Sequence, residues 1–456
     1  MSGAPTSPAH LPPGPDGRRK GPPHRGAKPV IRWPPHCPEW QANPHWSQEP
    51  CRWVAGQTRR NVITYFYSLS AAGFAATAIG FGPGRIGFGL FVPEFRSAFS
   101  MSTSAVGFVS SLGFLGFFLG LLVAQVLLKR RGPAAPVLSG LLAATVGMTI
   151  VALAPDLVVL AVGVFLTASS AGFAWTPFND AVHRKVCDVD RPTALSRIST
   201  GTSIGVAAAG FAALAMVLTG LSWRACWAFF AIAAAAALIA NWTALRDVEK
   251  DPEASPERRW HNVLQVGALP LFAIAFVYGT TSAIYISFAA DHMQAGGGVP
   301  GVPLAATPAL IFIFYGFFGL AGLFAGRVKG AVGLLWLLRL VMLAAAVSVA
   351  LVVALPGSWT GLTLSAGLQG LHVMMTSAVL AFWSERLFPS LPSLGFTTAL
   401  LATAAGSIAG PALAGVAADA FGAGAMFLGT AALPAATALL LRDRHARERP
   451  LSIAAF

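Results

Sequence analysis

From Val62 onward the chain is a succession of apolar runs near twenty residues long, and no other feature constrains its fold as tightly. An α-helix rises 1.5 Å per residue, so about twenty residues cross the roughly 30 Å hydrocarbon layer of a bilayer. Backbone in that layer finds no water to bond, so it must be helical or closed into a barrel, and runs of this length are helices. The expected spans are 62–92, 106–128, 136–153, 157–178, 199–218 and 225–244, then 266–289, 304–325, 332–355, 362–383, 397–416 and 423–441. Between the sixth and seventh lies one long polar stretch, RDVEKDPEASPERRWHN. The reading is an all-α membrane protein with twelve transmembrane helices in two pseudo-symmetric six-helix bundles.

Loop charge orients this map. If the N-terminal tail is inside, the inside loops carry Lys129, Arg130 and Arg131, then Arg184, Lys185, Arg191 and Arg197. They continue with Arg246, Lys250, Arg258 and Arg259, then Arg327 and Lys329, then Arg386, and after the last span Arg442, Arg444, Arg447 and Arg449. The outside loops carry only Arg96 and Arg224. Lys and Arg accumulate on the cytoplasmic side of membrane proteins, so both termini are expected in the cytoplasm of a multi-pass cell (inner) membrane protein. The net charge of +13 therefore reads as topology rather than as a nucleic-acid groove. Only 11% of residues are charged, against roughly a quarter in a soluble domain, which excludes two ordinary soluble domains.

The expected organisation is a disordered, proline-rich cytoplasmic tail at 1–60, an N-terminal half at 61–245, a cytoplasmic linker at 246–262, a C-terminal half at 263–441 and a cytoplasmic tail at 442–456. The first tail has Pro12-Pro13, Pro22-Pro23 and Pro34-Pro35 and no helical or strand period. It lacks the apolar core of a signal peptide; part of it could be an over-long start. Cys37 and Cys51 lie there beside His36 and His45, at spacing too irregular for a metal site, and Cys187 and Cys226 complete no framework. No metal or cofactor is expected.

The two halves echo each other. FFLGLLVAQVLLKRRG precedes the loop after span two, and FFGLAGLFAGRVKG the loop after span eight, the equivalent place in the second half. This arrangement resembles the major facilitator superfamily, whose loop signature is roughly G-x-x-x-D-R-x-G-R-R. The first copy keeps Gly120 and Lys129-Arg130-Arg131 but has Ala124 and Gln125 where an acid belongs; the second keeps Gly326-Arg327 and Gly330, also without the acid. Within span one, GFGPGRIGFGLFVPEF is similar to a segment of the YbfB-like branch, with Gly82, Gly84, Arg85, Phe88 and Pro93 in the matching places. Span eleven, GSIAGPALAGVAADAFG, is also similar to the facilitator consensus. Span five has no Gly-Pro pair like that of the classical multidrug exporters. The resemblance implies that spans one, four, seven and ten line a central cavity about which the halves rock.

Arg85 is the sharpest candidate. Eight residues before Pro93, about 12 Å, it lies near mid-bilayer. An arginine there costs roughly 2.5–3.5 kcal/mol to insert, so it should face a cavity or a partner. A guanidinium fork suits a carboxylate; the alternative is a structural arginine bonded to a neighbouring carbonyl. Tyr278, Ser282 and Tyr285 form one polar-tipped stripe in span seven, and Gln369, His372 and Thr376 another in span ten. In the superfamily both spans line the cavity, which makes these candidate solute contacts; interhelical bonding is the other reading. His372 is the candidate proton relay. Trp175 either floors the cavity or sits in the aromatic belt. Glu94 is expected at the surface and Arg339 in a structural role. His183 and Asp188 make an acyltransferase-like spacing with no companion motif, and no nucleotide-binding loop is present.

The function expected is a secondary or facilitative transporter of a small solute, with preference for an organic anion and with export of hydrophobic compounds as the alternative; a membrane-embedded enzyme is the reading from a different class. The partners expected are a small-molecule solute and the lipid bilayer, with protons as a candidate coupling ion. A monomer is expected, and no nucleic acid.

Overall fold

The computed structural model describes residues 58–186, 190–246, 248, 265–389, 391–446 and 448, without the side chains of 58–65, 183–184 and 392–393. The proline-rich tail, its cysteines, most of the 246–262 linker, Cys187 and the acyltransferase-like spacing therefore lie outside the described residues. Among the described residues every regular element is helical, and all lie in the unit Val54–Phe456.

The N-terminal half runs through α1 (Thr58–Ile79), a π-helical turn (Gly80–Ile86), α2 (Gly87–Leu90), α3 (Val92–Phe99), α4 (Thr103–Arg131), α5 (Ala134–Leu153), α6 (Leu157–Lys185), α7 (Arg191–Thr219) and α8 (Trp223–Leu245). The C-terminal half holds α9 (Leu269–Ala295), α10 (Thr307–Gly319), α11 (Ala325–Ala354), α12 (Trp359–Leu387), α13 (Pro392–Phe421) and α14 (Ala423–Leu440). Among the described residues, ten helical stretches are long and apolar enough to cross a membrane singly. The broken pair Phe66–Leu90 and Val92–Phe99, bent by 48°, makes an eleventh. One of the ten, Leu304–Ala354, has 51 residues, far more than a crossing needs, and turns at Gly333, whose φ of 81° no other residue adopts without strain. Counted as two, it brings the number to the twelve that the apolar runs anticipate.

Two boundaries differ from the sequence expectation. Span one is not a single helix: Gly82 has ψ −110°, and the chain unwinds through Gly80–Ile86 before resuming. Pro83, with no N–H and a ring that crowds the preceding turn, breaks the ladder there. The loop expected between spans eight and nine is helical instead, continuing as Ala325–Val332 into α11 as far as the Gly333 turn.

Four of the helices start on a side-chain cap. Ser102, Asp156, Ser222 and Ser358 accept from the backbone N–H groups of Ala105, Val159, Ala225 and Gly361, fixing the starts of α4, α6, α8 and α12. Outward-facing side chains such as Ile232 and Leu413, about 70% exposed, present apolar surface where lipid replaces water.

The halves meet along α4 against α13 and α7 against α10. At the end of the bundle that carries Arg96 they are clasped. Arg96 Nη1 donates to Asp291 Oδ2 at 2.5 Å, and the Ser104 hydroxyl and backbone N–H both donate to Asp419 Oδ2. There α9 backbone passes so close to α2 that a Cβ on Gly89 would run into the Ile286 carbonyl. At the opposite end the Gln125 amide donates to Thr397 Oγ1 at 3.3 Å across the halves. This is the position where the facilitator signature carries an acid, so a neutral bond stands in its place. α6 and α12 have no extended contact with each other among the described residues.

Candidate functional site

The π-helical turn points Arg85 at the seam between the halves. Three phenylalanines surround its guanidinium: the Phe81, Phe114 and Phe117 centroids lie 5.9, 5.7 and 5.0 Å from Cζ. These are the distances at which a cation is drawn to an aromatic face. From the opposite half the Tyr278 hydroxyl lies beside the same guanidinium. Nε and Nη2 are buried without a hydrogen-bond partner, and among the described residues no carboxylate lies within ion-pair distance. The structural alternative of a guanidinium bonded to a neighbouring carbonyl is thus not what the geometry contains. A cation held by rings and one phenol, with donors left over, is costly unless something anionic comes to it.

Beside it is a small cavity of about 10 Å³, room for a single water molecule. Gly84, Arg85, Ser110, Phe114, Trp227 and Ile286 are among its walls. Trp227 is 1% exposed, and its indole N–H, which can only donate, has no partner.

The two polar stripes divide between different tasks. Tyr278 crosses to Arg85, and its ring meets the His372 ring edge-on at 5.5 Å. Ser282 bonds back to the Gly279 carbonyl of its own helix at 3.3 Å. Tyr285 lies within the C-terminal half, its hydroxyl 3.1 Å from Ser365 Oγ; Ser365 and Ser348 donate to each other's carbonyls. In α12, Gln369, His372 and Thr376 are all fully buried. His372 Nδ1 lies 2.9 Å from the Val341 carbonyl and 3.4 Å from Thr376 Oγ1; Nε2 and both amide atoms of Gln369 are unpartnered. Trp175 is half-buried and packs against both of the large apolar clusters. The sequence places Arg85 and Tyr278 in different halves, and the fold brings them side by side; it sets His372 behind Tyr278 and against α11, with the buried Gln369 one turn earlier in α12.

Other expectations meet the structure as follows. Glu94 is not on the open surface: it is half-buried, with Oε2 unpartnered, in a groove shared with Ser97, Trp223 and Gln294. Arg339 donates to the Leu441 carbonyl at 2.6 Å and lies over Trp336, the structural role expected. Lys329, in the second signature copy, pairs with Glu448 of the C-terminal tail, which also meets Arg386 at 3.2 Å. The acid absent from that motif arrives from the end of the chain. Sequence reasoning missed Phe81, Phe114, Phe117 and Trp227, because in an apolar span an aromatic facing a cation looks like one facing lipid.

A model of the Major Facilitator Superfamily matches residues 68–296. No curated protein sequence matches the chain. Among solved structures, the fold is similar to that of the nucleoside transporter NupG, with TM-score 0.63 and 14% identity over 82% of this chain and 97% of that one. It is also similar to a bacterial homologue of the human lysosomal transporter Spinster. The inward-facing, occupied form of that protein gives TM-score 0.62 and 16% identity over 85% of this chain and 97% of that one. The unoccupied form gives 0.60 and 15% over 83% and 94%.

Proposed function

Because this chain belongs to the major facilitator superfamily and is a multi-pass membrane transporter, we propose that its solute is a small organic anion, moved by alternating access. The observation that carries this reading is the half-buried Arg85 guanidinium at the seam between the halves, its Nε and Nη2 unpartnered and, among the described residues, no carboxylate beside it. A solute carboxylate would take the vacant donors in a fork and supply the missing charge. Tyr278, reaching Arg85 from the other half, lets one bound anion touch both moving bodies.

The remaining parts of the reading follow the same logic. The halves are 61–245 and 263–441, joined by the 246–262 linker, with flanking tails 1–60 and 442–456. The basic loops favour a cell-membrane protein with both termini in the cytoplasm, an orientation in which the clasped Arg96 end faces out. Tyr278, Gln369 and His372 are the other solute contacts favoured; Ser282, Tyr285, Thr376 and Trp175 support them from behind. The chain works as a monomer, and His372 is the candidate for proton coupling. The YbfB-like assignment is supported by the helix break falling on the GPGR segment that carries the likeness.

Uptake into proteoliposomes of a panel of anionic and neutral solutes, nucleosides included, tests this reading. A carboxylate flux that needs Arg85, and responds to a pH jump if protons are coupled, is the expected result. Nucleoside flux with no carboxylate flux would overturn it. The second reading, export of hydrophobic compounds, draws on the three phenylalanines about Arg85 and would appear as dye efflux indifferent to Arg85→Ala.

A further inference from the structure

Arg85 offers hydrogen-bond donors and nothing else, whereas the polar atoms behind Tyr278 offer the complementary kind. His372 Nδ1 is 2.9 Å from a carbonyl oxygen, which only accepts, so Nδ1 carries the proton and Nε2 is a bare acceptor. Gln369 stands one turn earlier on the same face, with its carbonyl oxygen and its NH₂ both unpartnered at 0% exposure. Native structures rarely leave three such atoms empty in one place, since each costs on the order of 1–3 kcal/mol when buried unpaired.

Tyr278 stands between the two groups, its hydroxyl beside Arg85 and its ring against His372. A carboxylate that takes the vacant Nε and Nη2 donors satisfies the guanidinium without that hydroxyl. Tyr278 is then free to turn about its two side-chain torsions and open the way to Gln369 and His372.

We infer that the solute has two poles: a carboxylate received by Arg85, and a neutral group that both donates and accepts hydrogen bonds, received by Gln369 and His372. This deepens the organic-anion reading and rests on it. The second group is a hydroxyl or a carboxamide rather than an ammonium, because among the described residues no carboxylate pairs with any group near His372 or Gln369. Between the poles stands the Tyr278 ring, whose face suits a flat apolar body. Hydroxylated or carbamoylated aromatic carboxylates are the class described.

Binding to the purified full-length chain, followed by tryptophan fluorescence, tests this with four probes: benzoate, para-hydroxybenzoate, para-carbamoylbenzoate and para-aminomethylbenzoate. The hydroxyl and carbamoyl compounds should bind about tenfold or more tightly than benzoate, and the ammonium compound no better than benzoate. In Gln369→Met the ratio of hydroxybenzoate to benzoate affinity should fall to about twofold or less; His372→Phe is the parallel variant should the first not fold. Arg85→Ala should lose all four. Equal affinity of the parent for benzoate and its hydroxylated form would mean that Gln369 merely holds a buried water, and overturns the two-pole solute alone. An advantage that survives both Gln369→Met and His372→Phe does the same. Failure of the folded parent to bind any carboxylate overturns the organic-anion reading as well.

Discussion

A guanidinium presents its N–H donors in one rigid plane, and at Arg85 two of the three nitrogens have found no acceptor. Lysine keeps the charge but gathers it at a point, so it cannot reproduce a fork. Arg85→Lys should therefore retain anion uptake reduced about tenfold or more, with the loss mainly in KM, since one charged hydrogen bond is worth roughly 1.5–3 kcal/mol. Tyr285 makes the contrasting case. Its hydroxyl is committed to Ser365 in a closed set of bonds with Ser348. Ser365→Val leaves that phenol unpaired and should cost on the order of 1–3 kcal/mol, seen as a lower melting temperature in detergent. KM of the folded fraction should change by about twofold or less, because Tyr285 faces its own half.

At the scale of the element, the helices were legible in the sequence and their interruptions were not. Apolar runs of twenty residues have one solution in a bilayer, and the spans follow from length alone. The break in span one follows from Pro83 and the glycines about it, residues that membrane helices also tolerate unbroken, so composition could not place it. The partners of Arg85 were illegible for a different reason. A soluble helix shows its buried face by its period, but a membrane helix is apolar all round, and Phe114 and Phe117 look no different from the lipid-facing Phe108. The Lys329–Glu448 pair joins distant parts of the chain, beyond any local pattern. Two outcomes belong to this scale. Gly333→Ala, forced to a φ of 81°, should cost about 1–2 kcal/mol and weaken the turn between spans eight and nine. Glu448→Gln should lower thermal stability by about 1 kcal/mol or less at low salt, and by less still at high salt, as expected of a partly exposed ion pair.

Contacts join the halves at both ends of the molecule, and the charged ones lie at the Arg96 end. Arg96–Asp291 and Ser104–Asp419 join the halves where Gly89 meets Ile286, while at the other end Gln125 bonds to Thr397 and, among the described residues, α6 and α12 have no extended contact. Such contacts bias a two-state equilibrium by no more than their own free energy. The Arg96–Asp291 pair is 35% and 20% exposed, so its share is about 1 kcal/mol or less. Asp291→Asn should accordingly raise labelling of a Ser110→Cys reporter in the cavity wall by up to about fivefold when the thiol reagent is added from the Arg96 side. Unchanged labelling would place the clasp elsewhere.

The central claim is that a solute carboxylate meets Arg85 at the seam of the halves. Carboxylate exchange across proteoliposomes tests it most directly, with the parent and Arg85→Ala reconstituted at equal density and matched in melting temperature. The account predicts carboxylate exchange in the parent and none above background in Arg85→Ala. Carboxylate exchange of equal rate in a folded Arg85→Ala would contradict it.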